Sequence, residues 1–167
     1  MKNYQTLPSP PDSVTAAHVL SRLIDSIGYR LHLATNGLTE NEIQFRPIAG
    51  SMDMTELLKH MNGVLFFAYK SFNPDAIFNR EASTFEEYKQ ELFKTCSAFS
   101  TFVLALDDQQ VASVTAYLKR NDTTYSFWYL INGPISDILT HIGQINSWRR
   151  IAGNPVPRVS PFTGEGY

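Results

Sequence analysis

The chain has 167 residues, 43% hydrophobic and 18% charged, with a formal net charge of −2. This is the composition of an ordinary globular protein, enough for one domain with a substantial core and too apolar for disorder. The 14 Lys and Arg are scattered and offer nucleic acid no basic stripe, and no run approaches the ~20 apolar residues of a membrane span.

Residues 1–11 hold three prolines and no apolar signal-peptide core, so they read as an extended arm lying on the surface or trailing, and the expected compartment is the cytoplasm. Asp12 or Ser13 can cap a first helix in which Val14, Ala17, Leu20, Ile24, Ile27, Leu31 and Ala34 recur at helical spacing to about Asn36. Gly28 interrupts that stripe and signals close packing of a neighbour. His18 and His32 share a face but lie about four turns apart, too far to hold one ion, so each reads as a surface or core-edge imidazole. LTENEIQFRPIAGS is a structured connection that Leu38, Ile43 and Phe45 can pin to a core, while Pro47 and Gly50 exclude helix.

Ser51 or Asp53 caps a second helix running to about Phe72, with Leu57, Met61, Val64, Leu65, Ala68 and Phe72 as its apolar stripe. His60 sits on the edge of that stripe, with Glu56 one turn before it. A satisfied core-edge histidine is the plain reading. Asn73-Pro74 breaks the helix. Thr84 with Glu87 forms a capping box for a third helix, which runs through Phe85, Leu92, Cys96, Phe99 and Leu106 until Asp107 and Asp108 end it. Cys96 is the only cysteine, which excludes a disulfide framework and a Cys-rich zinc site; among helical apolar residues it reads as a buried inert thiol.

Residues 111–132 are rich in β-branched and aromatic types, with a polar turn at Lys119–Asp122, and read as a short hairpin or two extended arms. Tyr125, Phe127, Trp128 and Tyr129 there cover a sheet face or wall a pocket. Gly133-Pro134 then opens a last helix closed by Gly153 and Pro155. At ~100° per residue its stripes separate cleanly. Ile135, Ile138, Ile142 and Ile145 face a core; Asp137, His141, Gln144 and Trp148 form a second stripe; Ser136, Thr140, Gly143 and Ser147 form a third, of small residues. Asp137 and His141, one turn apart, can offer two ligands to one ion, or form a partly exposed ion pair. Residues 154–167 carry too many Pro and Gly for regular structure.

Four long amphipathic segments read as an all-α, up-down four-helix bundle with a short extended or hairpin excursion before the last helix. In GLTENEIQFRP after the first helix, ELLKHMNG in the second and ISDILTHIGQINSWRRIAGNP in the fourth, the chain resembles the DinB-like (YfiT-like) superfamily of bacterial proteins. The likeness covers nearly the whole chain, as a single domain over 1–167 with an arm at 1–11 and an irregular tail at 154–167. It implies a divalent ion between the second and fourth helices, Zn or Ni first and Mn or Fe next. His60 matches the histidine of the family's second helix, and His141 with Gln144 matches the end of its HxxxHxGQ pattern.

Asp137 stands where most members have a histidine. The site is then a triad of two histidines and a carboxylate, or one in which Asp137 only orients His141, or one that has lost its metal. Gln144 and Glu56 are candidates for orienting the ligands or passing protons. Members of known activity include transferases and isomerases in which the metal activates a low-molecular-weight thiol. The implied function is a metal-dependent thiol S-transferase or hydrolase of unidentified small-molecule substrate. The alternative is a stress-related or structural homodimer without catalysis, and the small-residue stripe suits close helix approach in either.

Overall fold

The computed structural model describes residues 1–166. Helix α1 spans Ala16–Thr35 and is capped by Thr15, whose hydroxyl accepts from the His18 N–H, in place of Asp12 or Ser13. Ser13 is engaged with the His18 ring, 3.0 Å away, and Val14 is left exposed ahead of the helix. A second donor of the α1 N-terminus, the Ala16 N–H, is met from far along the chain by Asp108 at 2.9 Å. In the connection that follows, Leu38, Ile43 and Phe45 pack on the core as expected. The connection also holds a short helix, α2 (Glu40–Ile43), opened by a Thr39/Glu42 capping box.

Helix α3 (Met54–Phe72) is capped by Asp53, and α4 (Phe85–Val103) by the expected Thr84/Glu87 box. The third helix stops at Val103, short of Leu106. Asp107 does not end it; its carboxylate accepts from the Gln110 N–H and starts α5, Asp108–Ser113. Strands β1 (Thr115–Leu118) and β2 (Thr123–Ser126) pair antiparallel with Leu118 opposite Thr123. Their turn is a 3₁₀ segment, Lys119–Asn121, closed by Asp122 in the left-handed region. Helix α6 (Phe127–Leu130), a π turn over Ile131–Ile135 and α7 (Ser136–Ile151) then form one continuous helical run.

The bundle with a hairpin before its last helix is present, and its directions are more specific than simple alternation. Asn62 reaches the Tyr88 carbonyl and Phe72 stacks on Phe99, so α3 and α4 run parallel. Ser21 meets Ser100 while His32 meets Phe93, so α1 and α4 run antiparallel. Arg149, near the end of α7, bonds carbonyls at the end of α1, so those two helices are parallel. The order is up, down, down, up. The connection 73–84 permits it: a dozen extended residues reach about 40 Å at ~3.3 Å each, against roughly 28 Å for a 19-residue helix.

One apolar cluster joins Ile24 and Leu31 of α1, Met61 and Leu65 of α3, Cys96 and Phe99 of α4, and Ile138 and Ile142 of α7. The N-terminal arm is part of it and neither trails nor merely lies on the surface. Tyr4 is buried, its ring lying 2.7 Å from where a Cβ on Gly28 would stand; this is the close packing that the glycine signalled. Its hydroxyl donates to Asp25, which also takes the Lys2 ammonium at 2.8 Å. The strand pairing of residues 154–166 is limited to an isolated bridge, Val159 to Gly166, while Asn154 and Gly164 tie the segment to Arg149 and Tyr29. Among the described residues no helix is long and apolar enough to cross a membrane.

Cys96 is fully buried, and burial pushes its thiol well above the ordinary range. Native protein at mildly alkaline pH should therefore leave an aromatic disulfide reagent unreacted, while the same protein in denaturant should react at once. Rapid native labelling would contradict that burial.

Candidate metal centre

The site is positioned by the junction before α7. Pro134 has no N–H to give a helix, and the chain absorbs it in the π turn without breaking. The Ser136 hydroxyl donates to the Ile131 carbonyl at 2.7 Å across that turn. This corrects two expectations: Gly133-Pro134 does not open the last helix, and residues 127–132 are helical, so the extended excursion ends at Ser126. The inserted residue turns everything after it by about 100°, which sets the face on which Asp137 and His141 emerge.

That face meets α3. The Asp137 Oδ2 atom lies 3.4 Å from His141 Nε2 and 3.9 Å from His60 Nε2. One ligand atom from each of the three residues lies within 4.8 Å of the others. The two imidazoles stand edge to face with ring centroids 4.9 Å apart. On the far side of His141, Nδ1 is 3.1 Å from Gln144 Oε1. An accepting amide oxygen there requires the proton on Nδ1, which leaves the Nε2 lone pair facing Asp137 and His60.

These spacings fit a cation. Donor atoms bound at 2.0–2.2 Å in a tetrahedral set stand about 3.4 Å apart. The Asp137–His141 pair is already at that separation, and His60 needs to close by no more than about 1.4 Å, a side-chain adjustment. Among the described residues Asp137 pairs with no lysine or arginine; its partners are the two histidines. The His60 and Asp137 side chains are 41% and 46% exposed, so the group opens to solvent on one side, as a site that admits a substrate must.

The open side is a cleft of about 1130 Å³ between α3, the connection before it, the hairpin turn and the π turn. Glu56 lines it, but no hydrogen bond or ion pair joins it to the triad among the described residues. Its carboxylate accepts from the Asp53 N–H and pairs with Arg46 at 2.7 Å, which holds it below the ordinary carboxyl range. Lys59 and Arg120 also face the cleft; the sequence does not single them out, because exposed cations carry no spacing signal. His18 and His32 lie elsewhere, against Ser13 and Phe93. Of the four aromatic residues read as a wall, Tyr125 and Tyr129 line a side cavity of about 230 Å³. Phe127 packs on Phe72, and Trp128 is exposed.

No protein-family model and no curated protein matches the sequence. Two solved structures share its architecture. YfiT from Bacillus subtilis, described as a probable metal-dependent hydrolase with an unusual four-helix bundle topology, superposes with a TM-score of 0.66 at 12% identity, over 91% of this chain and 99% of that one. The chain has the DinB/YfiT-like four-helix-bundle fold. A DinB-like protein of the same organism, YjoA, superposes at a TM-score of 0.62 and 17% identity, over 88% of this chain and 98% of the other. At such identities the likeness is one of DinB/YfiT-like fold alone.

Gln144 is the accessible test of how that triad is oriented. Gln144→Ala removes the acceptor on His141 Nδ1 and should weaken metal binding on the order of 10- to 100-fold, while Gln144→Glu should restore it. Competition against a chelating dye measures both. Unchanged affinity in the alanine variant would show that the ring is held by packing alone.

Proposed function

We propose that this protein holds a divalent cation on His60, Asp137 and His141 and uses it to transform a small molecule bound in the adjoining cleft. Hydrolysis is the first reading and transfer to a thiol the second. The observation that carries it is the convergence of two imidazoles and one carboxylate within 4.8 Å at an open cavity. Two histidines with a carboxylate are a ligand set of catalytic zinc, and leave at least one position free. Zinc is therefore the cation proposed. Bound there, such an ion lowers the pKa of a water or thiol enough to supply a nucleophile near neutral pH.

The chain's own residues do the rest. Asp137 contributes the single negative charge of the set, Gln144 fixes which nitrogen of His141 is free, and Phe67 and Pro134 give the cleft wall apolar surface for the body of a substrate. The description of YfiT as a probable metal-dependent hydrolase favours hydrolysis over thiol transfer. Dialysis of untagged protein against zinc, followed by elemental analysis, should find a single equivalent in wild type and far less in His60→Ala and His141→Ala. A full equivalent in both variants would overturn the assignment.

We also propose that the chain forms a homodimer. The stripe Ser136, Thr140, Gly143 and Ser147 is exposed along α7 and leaves room for a close helix approach. Sedimentation at micromolar concentration should show a dimer, and a species of monomer mass alone would exclude it.

A further inference from the structure

The charges around the cleft are unequally satisfied. Of the three Lys or Arg side chains lining it, Arg46 is already paired with Asp53 and Glu56, both at 2.7 Å. Asp137 is occupied by the two imidazoles. Lys59 of α3 and Arg120 of the hairpin turn make no hydrogen bond or ion pair with any described side chain, and both line the same cavity as the triad. The spare charge of this cleft is therefore positive, in a chain whose net charge is −2. A general surplus of cations does not account for it. The same lining carries an apolar set, Val64, Phe67, Leu118 and Pro134.

We propose that the cleft selects small molecules that carry an anionic group on an apolar body, with Lys59 and Arg120 as the residues that determine this specificity. The inference rests on the cleft being the substrate site of the proposed metal centre. Two exposed cations on separate elements put unpaired positive charge into the cleft for a carboxylate, sulfonate or phosphate to meet. Arg120 offers a planar fork of donors and Lys59 a mobile point charge. The apolar wall takes the body of the molecule and gives it an affinity that a bare anion would lack. Neither cation lies among the metal ligands, so recognition of the anion is separable from metal binding.

The test compares naphthalenesulfonate with neutral naphthalenemethanol on the full chain, by isothermal titration at low and high salt, beside Lys59→Gln, Arg120→Gln and the double variant. Both positions are exposed, so the substitutions should leave the fold intact, and zinc content serves as the control. In wild type the sulfonate should bind about ten-fold tighter or better, with the advantage shrinking in high salt. The double variant should lose that preference while keeping its zinc. Equal affinity for the two probes in wild type would overturn the proposal. So would a preference that survives in the double variant and disappears on removal of zinc, because the ion itself would then hold the sulfonate. A wild type that takes up no zinc yet still prefers the sulfonate defeats the metal reading alone; a zinc-loaded wild type with no preference defeats this inference alone.

Discussion

Asp137→Asn should lower zinc affinity by more than about 100-fold, beyond the 10- to 100-fold expected when a residue merely orients a ligand. The substitution keeps the shape of the side chain and removes the only negative charge in the set. It also replaces a strong ligand oxygen by a neutral amide oxygen. The distances support the larger effect: Oδ2 of Asp137 lies within 4 Å of the Nε2 atoms of both histidines. Asp137→His, which restores the commoner pattern of the resembling family, should keep or raise affinity for zinc. Titration in competition with a chelator separates the cases. If Asp137→Asn loses only tenfold and Asp137→His loses more, the carboxylate is an orienting group and the ion rests on the histidines.

Arg149→Ala should be the most destabilising substitution outside the apolar core. The residue is buried, 3% exposed, and its guanidinium donates to the carbonyls of Leu33, Ala34 and Asn36 at 3.0, 3.2 and 2.7 Å. It also donates to the backbone and side-chain oxygens of Asn154 at 2.9 and 3.1 Å. The Leu33 and Ala34 carbonyls belong to the last turn of α1 and Asn36 is its C-cap, so the guanidinium satisfies oxygens that a helix end leaves without a helical donor. Truncation leaves several of them buried without a donor, which costs on the order of 3–5 kcal/mol. Urea unfolding should show a loss of that size, with Arg149→Lys intermediate because an ammonium cannot span the same fork of acceptors. A loss below about 1 kcal/mol would mean that water replaces the guanidinium freely.

Glu42 belongs to the same knot. Burial pushes its carboxyl up, but the Thr39 N–H and hydroxyl and the Asn154 amide more than offset this, and it ends below the ordinary value. A carboxylate so depressed stabilises the fold above its unfolded pKa. That contribution is lost as pH falls through its lower folded pKa.

What was legible in the sequence was local. Asp53 and the Thr84/Glu87 pair announce their helices because a cap is read by residues within one turn. Gly28 announces a close neighbour, although not that the neighbour is Tyr4 of the arm. His60, Asp137 and His141 were identified through family resemblance together with helical spacing, and the packing of α7 on α3 brings them together. The misread parts depend on distant partners or on tolerated exceptions. Asp108 serves the start of α1 across the fold, so its role could not be seen in its own neighbourhood. Pro134 obeys no local rule for helix starts, because a π turn absorbs it. The up, down, down, up order follows from where the connection 73–84 leads, and its composition is silent on that. Lys59 and Arg120 acquire meaning only when the hairpin turn is folded over α3.

X-ray absorption at the zinc edge of the loaded, untagged protein examines the ligand set itself. Two imidazole rings should appear in the outer-shell scattering, with nitrogen and oxygen neighbours at about 2.0–2.2 Å and no sulfur. The outer-shell signal should fall to one ring in His60→Ala loaded at excess zinc. A wild-type spectrum with one imidazole or none would contradict a centre built on His60, Asp137 and His141.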